Sequence, residues 1–184
     1  LVLFSGIQYY TGQFFDLERI ARSAKAAGCK VGFDLAHAVG NVPLRLHDWH
    51  VDFACWCTYK YMNCGPGSIA GCFVHEEHGK GELVGEGEHK WPVPRRLGGW
   101  WGHRTSDRFH MAPQFIPNQG ANGFRLSNPP VLLVACAKAS LDVFSRVGQE
   151  VFLYTEQINA NLLFLLIRPV SIACEPSLSS SLAT

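Results

Sequence analysis

Within its first 35 residues the chain passes from an apolar run, Leu1-Val-Leu-Phe-Ser-Gly6, through a helical pattern to a second apolar run, Cys29-Lys-Val-Gly-Phe-Asp-Leu35. No other feature restricts the fold as strongly. In the helical stretch Leu17, Ile20, Ala21, Ala24 and Ala27 recur at helical spacing, Asp16 stands at the N-cap position, and Gly28 marks the stop. Strand, amphipathic helix and strand in immediate succession predict a right-handed crossover with parallel strands, hence an α/β fold. Two further apolar runs follow, Phe53 to Thr58 and Ser68 to His75, separated by the turn residues Asn63-Cys-Gly-Pro-Gly67. They are expected to pair as neighbours.

The rest of the chain is punctuated differently. From Gly79 to Gly99 the residues are mostly Gly, Glu, Pro and Arg without periodicity, as in an exposed connection that is mobile at its middle. Pro129 and Pro130 open a second helix in which Leu132, Leu133, Cys136, Ala139, Leu141, Val143 and Phe144 spread round the circumference, a pattern for packing on two sides. Asn128 then lies at its N-terminus. The tail from Pro169 to Thr184, with two prolines and five serines, loses the pattern and is expected to be frayed or disordered. The expected division is a partial large domain over 1–167 and a divergent tail over 168–184.

Composition excludes several partners. Hydrophobic residues are 47% and charged residues 17% of the chain, enough apolar surface to offset chain entropy. Sixteen Lys and Arg against fifteen Asp and Glu leave a net charge of +1, so no field draws the chain to nucleic acid or to an anionic membrane, and a small-molecule partner is expected. The apolar stretch Leu162 to Ile167 is far shorter than the roughly 20 residues of a membrane span. Seven cysteines, an odd number, read as reduced buried thiols rather than a disulfide frame, with Cys55 and Cys57 on one side of a strand. The chain opens on Leu1 without a charged leader, so no signal peptide is read and an upstream portion is expected to be missing. His75-Glu-Glu-His78 lacks the four-residue histidine spacing of a zinc helix, and no metal is expected there.

In parallel sheets the ligand crevice lies beyond the C-terminal strand ends, and two polar residues fall there. Asp34 interrupts Val31-Gly-Phe-Asp-Leu35, and Lys60 ends the third run after Thr58 and Tyr59. A carboxylate in an apolar strand needs a cation, a donor or a ligand to offset its desolvation. A lysine amine that forms a Schiff base and an acid set against a pyridinium nitrogen are what pyridoxal phosphate requires, so the pair suggests that cofactor. Each residue also has a plain structural alternative, Asp34 as a strand-end acid satisfied by backbone donors and Lys60 as a surface lysine.

Three blocks carry a family resemblance: Gly32-Phe-Asp-Leu-Ala-His-Ala-Val-Gly-Asn41, Asp52-Phe-Ala-Cys-Trp-Cys-Thr-Tyr-Lys-Tyr61 and Gly123-Phe-Arg-Leu-Ser-Asn-Pro-Pro130. They closely resemble kynureninase of the animal type, a pyridoxal-phosphate hydrolase of the aspartate-aminotransferase fold (fold type I). The likeness extends from Leu1 to about Phe144 and fades after Glu150. It implies a large domain with a mostly parallel sheet flanked by helices. Lys60 would be the Schiff-base lysine and Asp34 the pyridinium partner, with His37 and Tyr59 as further cofactor contacts. Tyr59 would also relay a proton, while Trp100 and Asn128 would reach the site across a homodimer interface. The implied activity is hydrolysis of L-kynurenine or 3-hydroxykynurenine to anthranilate or 3-hydroxyanthranilate plus L-alanine, in cytoplasmic tryptophan catabolism leading to NAD. The chain departs from the family between His78 and Leu97, which is longer and more charged, and at Pro66 in the turn after Lys60. The alternatives are another fold-type-I enzyme, an aminotransferase or a cysteine desulfurase, and a non-catalytic fragment. The 184 residues alone are expected to be inactive or nearly so.

Overall fold

The computed structural model describes residues 1–79, 82–83, 89–90, 96–111, 113 and 115–148. Residues 1–143 form one compact unit, and of the second, 144–184, the described part is the end of one helix. The expected boundary at 167 and the expected tail disorder lie outside the described residues.

Four strands make the main sheet: β1 (Val2–Ser5), β2 (Val31–Asp34), β3 (Phe53–Cys57) and β4 (Ala70–Val74), in that order across the sheet. β1, β2 and β3 are parallel, and β4 runs antiparallel to β3, so the expected neighbours do pair. A tight connection permits this reversal: Asn63, Gly65 and Gly67 all take positive φ between Lys60 and Ser68.

Helix α1 (Leu17–Ala26) joins β1 to β2. It starts where expected because the Asp16 carboxylate accepts a hydrogen bond from Arg19 N–H, and it ends at Ala27, before Gly28 with φ +73°. Its apolar stripe, Leu17, Ala21 and Ala24, is buried against one face of the sheet, where Val31, Phe33, Leu35, Ala54 and Val51 complete the core. Burying Phe33 fully contributes on the order of 1.5–3 kcal/mol. Strand alternation sends Leu3, Gly32, Asp34, Cys55 and Cys72 to the opposite face, which α1 does not cover.

The N-terminal end of the sheet is tied by a buried acid, Asp52. Asp52 Oδ2 accepts from Val31 N–H at 2.7 Å and from Lys25 Nζ at 2.6 Å. Its Oδ1 lies 3.1 Å from Lys30 Nζ and 2.5 Å from His78 Nε2. Burial would raise this carboxyl, but the hydrogen bonds from Lys25, Val31, His78 and Lys30 hold it well below the ordinary carboxylate range. One side chain thereby joins α1, β2, the start of β3 and the short 3-10 turn Glu76–His78. Asp52, Glu77 and His78 bring potential ligand atoms within 4.8 Å of one another, but the lysine ammonium groups already neutralise Asp52.

The Gly79–Gly99 connection contains a short antiparallel ladder, β5 (Glu82–Leu83) with β6 (His89–Lys90), and the expected mobility at its middle falls on 84–88, outside the described residues. Two expectations need correction. Helix α2 (Val131–Val147) begins after the two prolines as expected, yet its only buried residue is Ala137, and Val131, Leu132, Leu141 and Val143 are exposed. The described cysteines are all free, as read, but Cys64 alone is buried, and Cys55, Cys72 and Cys136 are exposed because they face away from α1 or lie on α2.

Candidate functional site

The C-terminal ends of β1, β2 and β3 and the loops that follow them enclose a cavity of about 450 Å³. It is lined by Ser5, Ile7, Gln8, Tyr9, Asp34, Ala36, His37 and Lys60. The strand-end acid and the lysine singled out in the sequence therefore face the same space.

Asp34 is the last residue of β2, and its Oδ1 accepts from Ala36 N–H at 2.9 Å, which turns the chain toward His37. The carboxylate is exposed rather than sunk in the strand, because its face of the sheet is the uncovered one. A carboxylate has a second oxygen with which to hold a ligand N–H. Lys60 Nζ lies 3.0 Å from His37 Nε2. The two nitrogens are within hydrogen-bond distance, and the imidazole's tautomer sets which of them donates.

Two loops must approach closely to make that contact. Gly40, φ +80°, is where they touch: a Cβ there would stand 2.9 Å from the Tyr61 carbonyl oxygen. No other residue type suits both the left-handed conformation and that separation. Beneath Lys60, the buried Thr58 hydroxyl bonds Ser68 Oγ at 2.9 Å and also reaches the Ile69 carbonyl, fixing the end of β3 to the start of β4.

Tyr59 sits beside the cavity rather than in its wall. Its ring is 51% exposed and 5.8 Å from Lys60 Nζ, within cation–π range. Trp100 and Asn128 are not brought to Lys60 by this chain. Trp100 lines a separate cavity of about 500 Å³ with Gly98, Gly99, His103, Arg108 and Phe115, while Asn128 is exposed just before α2 and accepts from Ser127 Oγ at 3.3 Å.

Ser5, Ile7, Gln8 and Tyr9 are lining residues that the sequence patterns do not single out. Register places the first of them: with β1 and β2 parallel, Ser5 falls opposite Asp34 and on the same face, a relation that only the paired strands show. Gln8 supports the loop, its Oε1 accepting from Tyr10 N–H at 2.5 Å and Thr11 N–H at 2.8 Å.

Comparison with known proteins sets this geometry in context. The aminotransferase class-V family matches residues 1–80. A kynureninase from Stenotrophomonas maltophilia is 55% identical over 150 residues, 82% of this chain and 33% of the relative. A kynureninase from Xanthomonas oryzae pv. oryzae is 56% identical over 148 residues, 80% of this chain and 32% of the relative. The chain thus spans about a third of the length of the curated relatives it matches. Among solved structures, an alanine–glyoxylate aminotransferase from Nostoc superposes with a TM-score of 0.60 at 17% identity, covering 91% of this chain and 40% of that one, a likeness of fold alone.

Proposed function

The chain belongs to the kynureninase family, and from that premise we propose that the protein it represents uses pyridoxal 5′-phosphate to hydrolyse L-kynurenine or 3-hydroxykynurenine to anthranilate or 3-hydroxyanthranilate plus L-alanine. The observation that carries the reading is the meeting of Asp34, His37 and Lys60 on one cavity at the C-terminal strand ends. The donor set suits the cofactor. An amine meets an imidazole nitrogen, a carboxylate retains an oxygen for a ring N–H, and the Ser5 hydroxyl stands in register beside that carboxylate. The cavity of about 450 Å³ falls within the range of small-molecule sites.

When bound, the cofactor supplies a protonated ring that stores the electron pair released at the substrate's α-carbon. The chain's residues do the remainder. Asp34 would accept the ring N–H, its negative charge favouring the cationic ring. Lys60 would hold the cofactor through Nζ, and the same atom would take up and return the substrate's α-proton. His37 Nε2, 3.0 Å from Lys60 Nζ, holds that amine in place. The Tyr59 phenol, next to Lys60, relays a proton at the carbonyl to which water adds. Trp100 and Asn128 act from a second copy in a cytoplasmic homodimer, a reading supported by neither of them lining this chain's own cavity. Among the described residues no helix is long and apolar enough to cross a membrane.

The test is capture of the cofactor. The chain is incubated with pyridoxal phosphate, reduced with borohydride and mapped by mass spectrometry. Label on Lys60, lost in Lys60→Ala and reduced in Asp34→Ala, is expected; label spread over surface lysines would refute the site. Product analysis of the intact protein separates the substrate readings, since anthranilate released from kynurenine supports hydrolysis and transfer of the amino group to a keto acid indicates an aminotransferase.

A further inference from the structure

Cys55 and Cys72 are register partners across β3 and β4, and both are free and exposed. The phase of the ladder fixes how they face each other. His75 N–H donates to the Asp52 carbonyl at 2.9 Å, and these two residues extend the register in which Phe53 opposes Val74. Asp52 only accepts from His75, its own N–H going to the Val31 carbonyl at 2.9 Å, and from that bond alternation makes Cys55 and Cys72, three steps further along, a non-hydrogen-bonded pair. A second observation agrees. The Cys55 carbonyl accepts from Leu35 N–H at 2.8 Å, so the Cys55 backbone bonds toward β2 and not toward β4. In non-hydrogen-bonded pairs the Cα atoms stand about 4.5 Å apart and the side chains lean closest, which falls within the roughly 4.4–6.8 Å spanned by disulfides.

We propose that Cys55 and Cys72 form an oxidisable dithiol, a modification site for small-molecule disulfides of the glutathione class and for trivalent arsenicals. A thiolate of the pair attacks one sulfur of the oxidant, forming a mixed disulfide and expelling one glutathione thiolate. The facing thiol gives its proton to solvent and attacks the protein-side sulfur, forming the Cys55–Cys72 bond and releasing the second glutathione. Two electrons leave the protein and reduce one glutathione disulfide to two thiols.

Cys57 does not compete. It shares the face of Cys55 but opposes Ala70, and residues two apart on one strand are separated by about 6.6 Å with parallel Cβ directions. The pair also lies beside the candidate site: Ser5, Asp34, Cys55 and Cys72 form one row across all four strands. Burial, then the Asp34 charge, then Cys72 push the Cys55 thiol up, so closure should quicken as pH rises through the alkaline range.

The experiment takes the full 184-residue chain, reduced and then equilibrated in graded glutathione buffers, with remaining thiols alkylated and peptides mapped. The expected product is one Cys55–Cys72 disulfide with five of the seven cysteines alkylated, at an oxidant ratio at least roughly tenfold lower than the same chain requires in urea. Phenylarsine oxide should protect both thiols from alkylation in the native chain and neither in Cys72→Ser or Cys55→Ser. Pairing of Cys55 with any other cysteine, closure no easier than in urea, or oxidation that stops at mixed disulfides overturns the proposal. None of these readouts depends on turnover or on bound cofactor.

Discussion

Replacing Asp52 with Asn removes one charge and keeps the shape, which isolates the electrostatic part of the knot at the N-terminal end of the sheet. The amide oxygen can still accept from Val31 N–H, so the loss falls on the two lysines and on His78. The Lys25 contact, 2.6 Å and with Lys25 only 28% exposed, is a charge-assisted hydrogen bond of about 1.5–3 kcal/mol. Lys30 is 63% exposed, and its pair is worth at most about 1 kcal/mol after solvent screening. The expected total is about 2–4 kcal/mol at pH 7, a fall of roughly 1–2 M in the urea midpoint. The sign of the pH dependence follows from the lowered carboxyl: its contribution is complete above the unfolded value near 3.8 and fades as pH drops below it. The neighbouring titratable groups are Lys25, Lys30, His78 and Glu77, the last 3.9 Å from Lys25 and 3.2 Å from His78. Urea unfolding of wild type and Asp52→Asn at pH 7, 5 and 3.5 measures both effects. A gap below about 0.5 kcal/mol at pH 7, or one that does not narrow between pH 5 and 3.5, would refute the reasoning.

Phe33→Ala, at a fully buried position under α1, should cost about 3–5 kcal/mol by chemical denaturation, whereas Leu132→Ala, 80% exposed on α2, should stay within about 0.5 kcal/mol. Gly40→Ala should lower stability by about 1–3 kcal/mol and slow labelling of Lys60 by pyridoxal phosphate, because the new Cβ presses on the Tyr61 carbonyl. Gly12→Ala, at φ +71° with open space around it, serves as the control: it carries the backbone cost and should leave the labelling rate unchanged.

What the sequence determined by itself was local. The Asp16 cap, the stripe of Leu17, Ala21 and Ala24 and the stop at Gly28 are written in adjacent residues, so α1 was legible to within a residue or two. The parallel start of the sheet followed from the single helix between two apolar runs, and the chemical types of Asp34 and Lys60, together with their places at strand ends, named the candidate site. Tertiary structure decided what depends on register and on approach between distant segments. That Ser5 stands beside Asp34, that Cys55 faces Cys72, and that Gly40 lets His37 reach Lys60 cannot be read from neighbours in sequence, because a one-residue slip in pairing sends every side chain to the other face. Asp52 is the clearest case. Its partners lie 21 to 27 positions away on both sides, and only the folded sheet collects enough donors to keep a buried carboxylate charged.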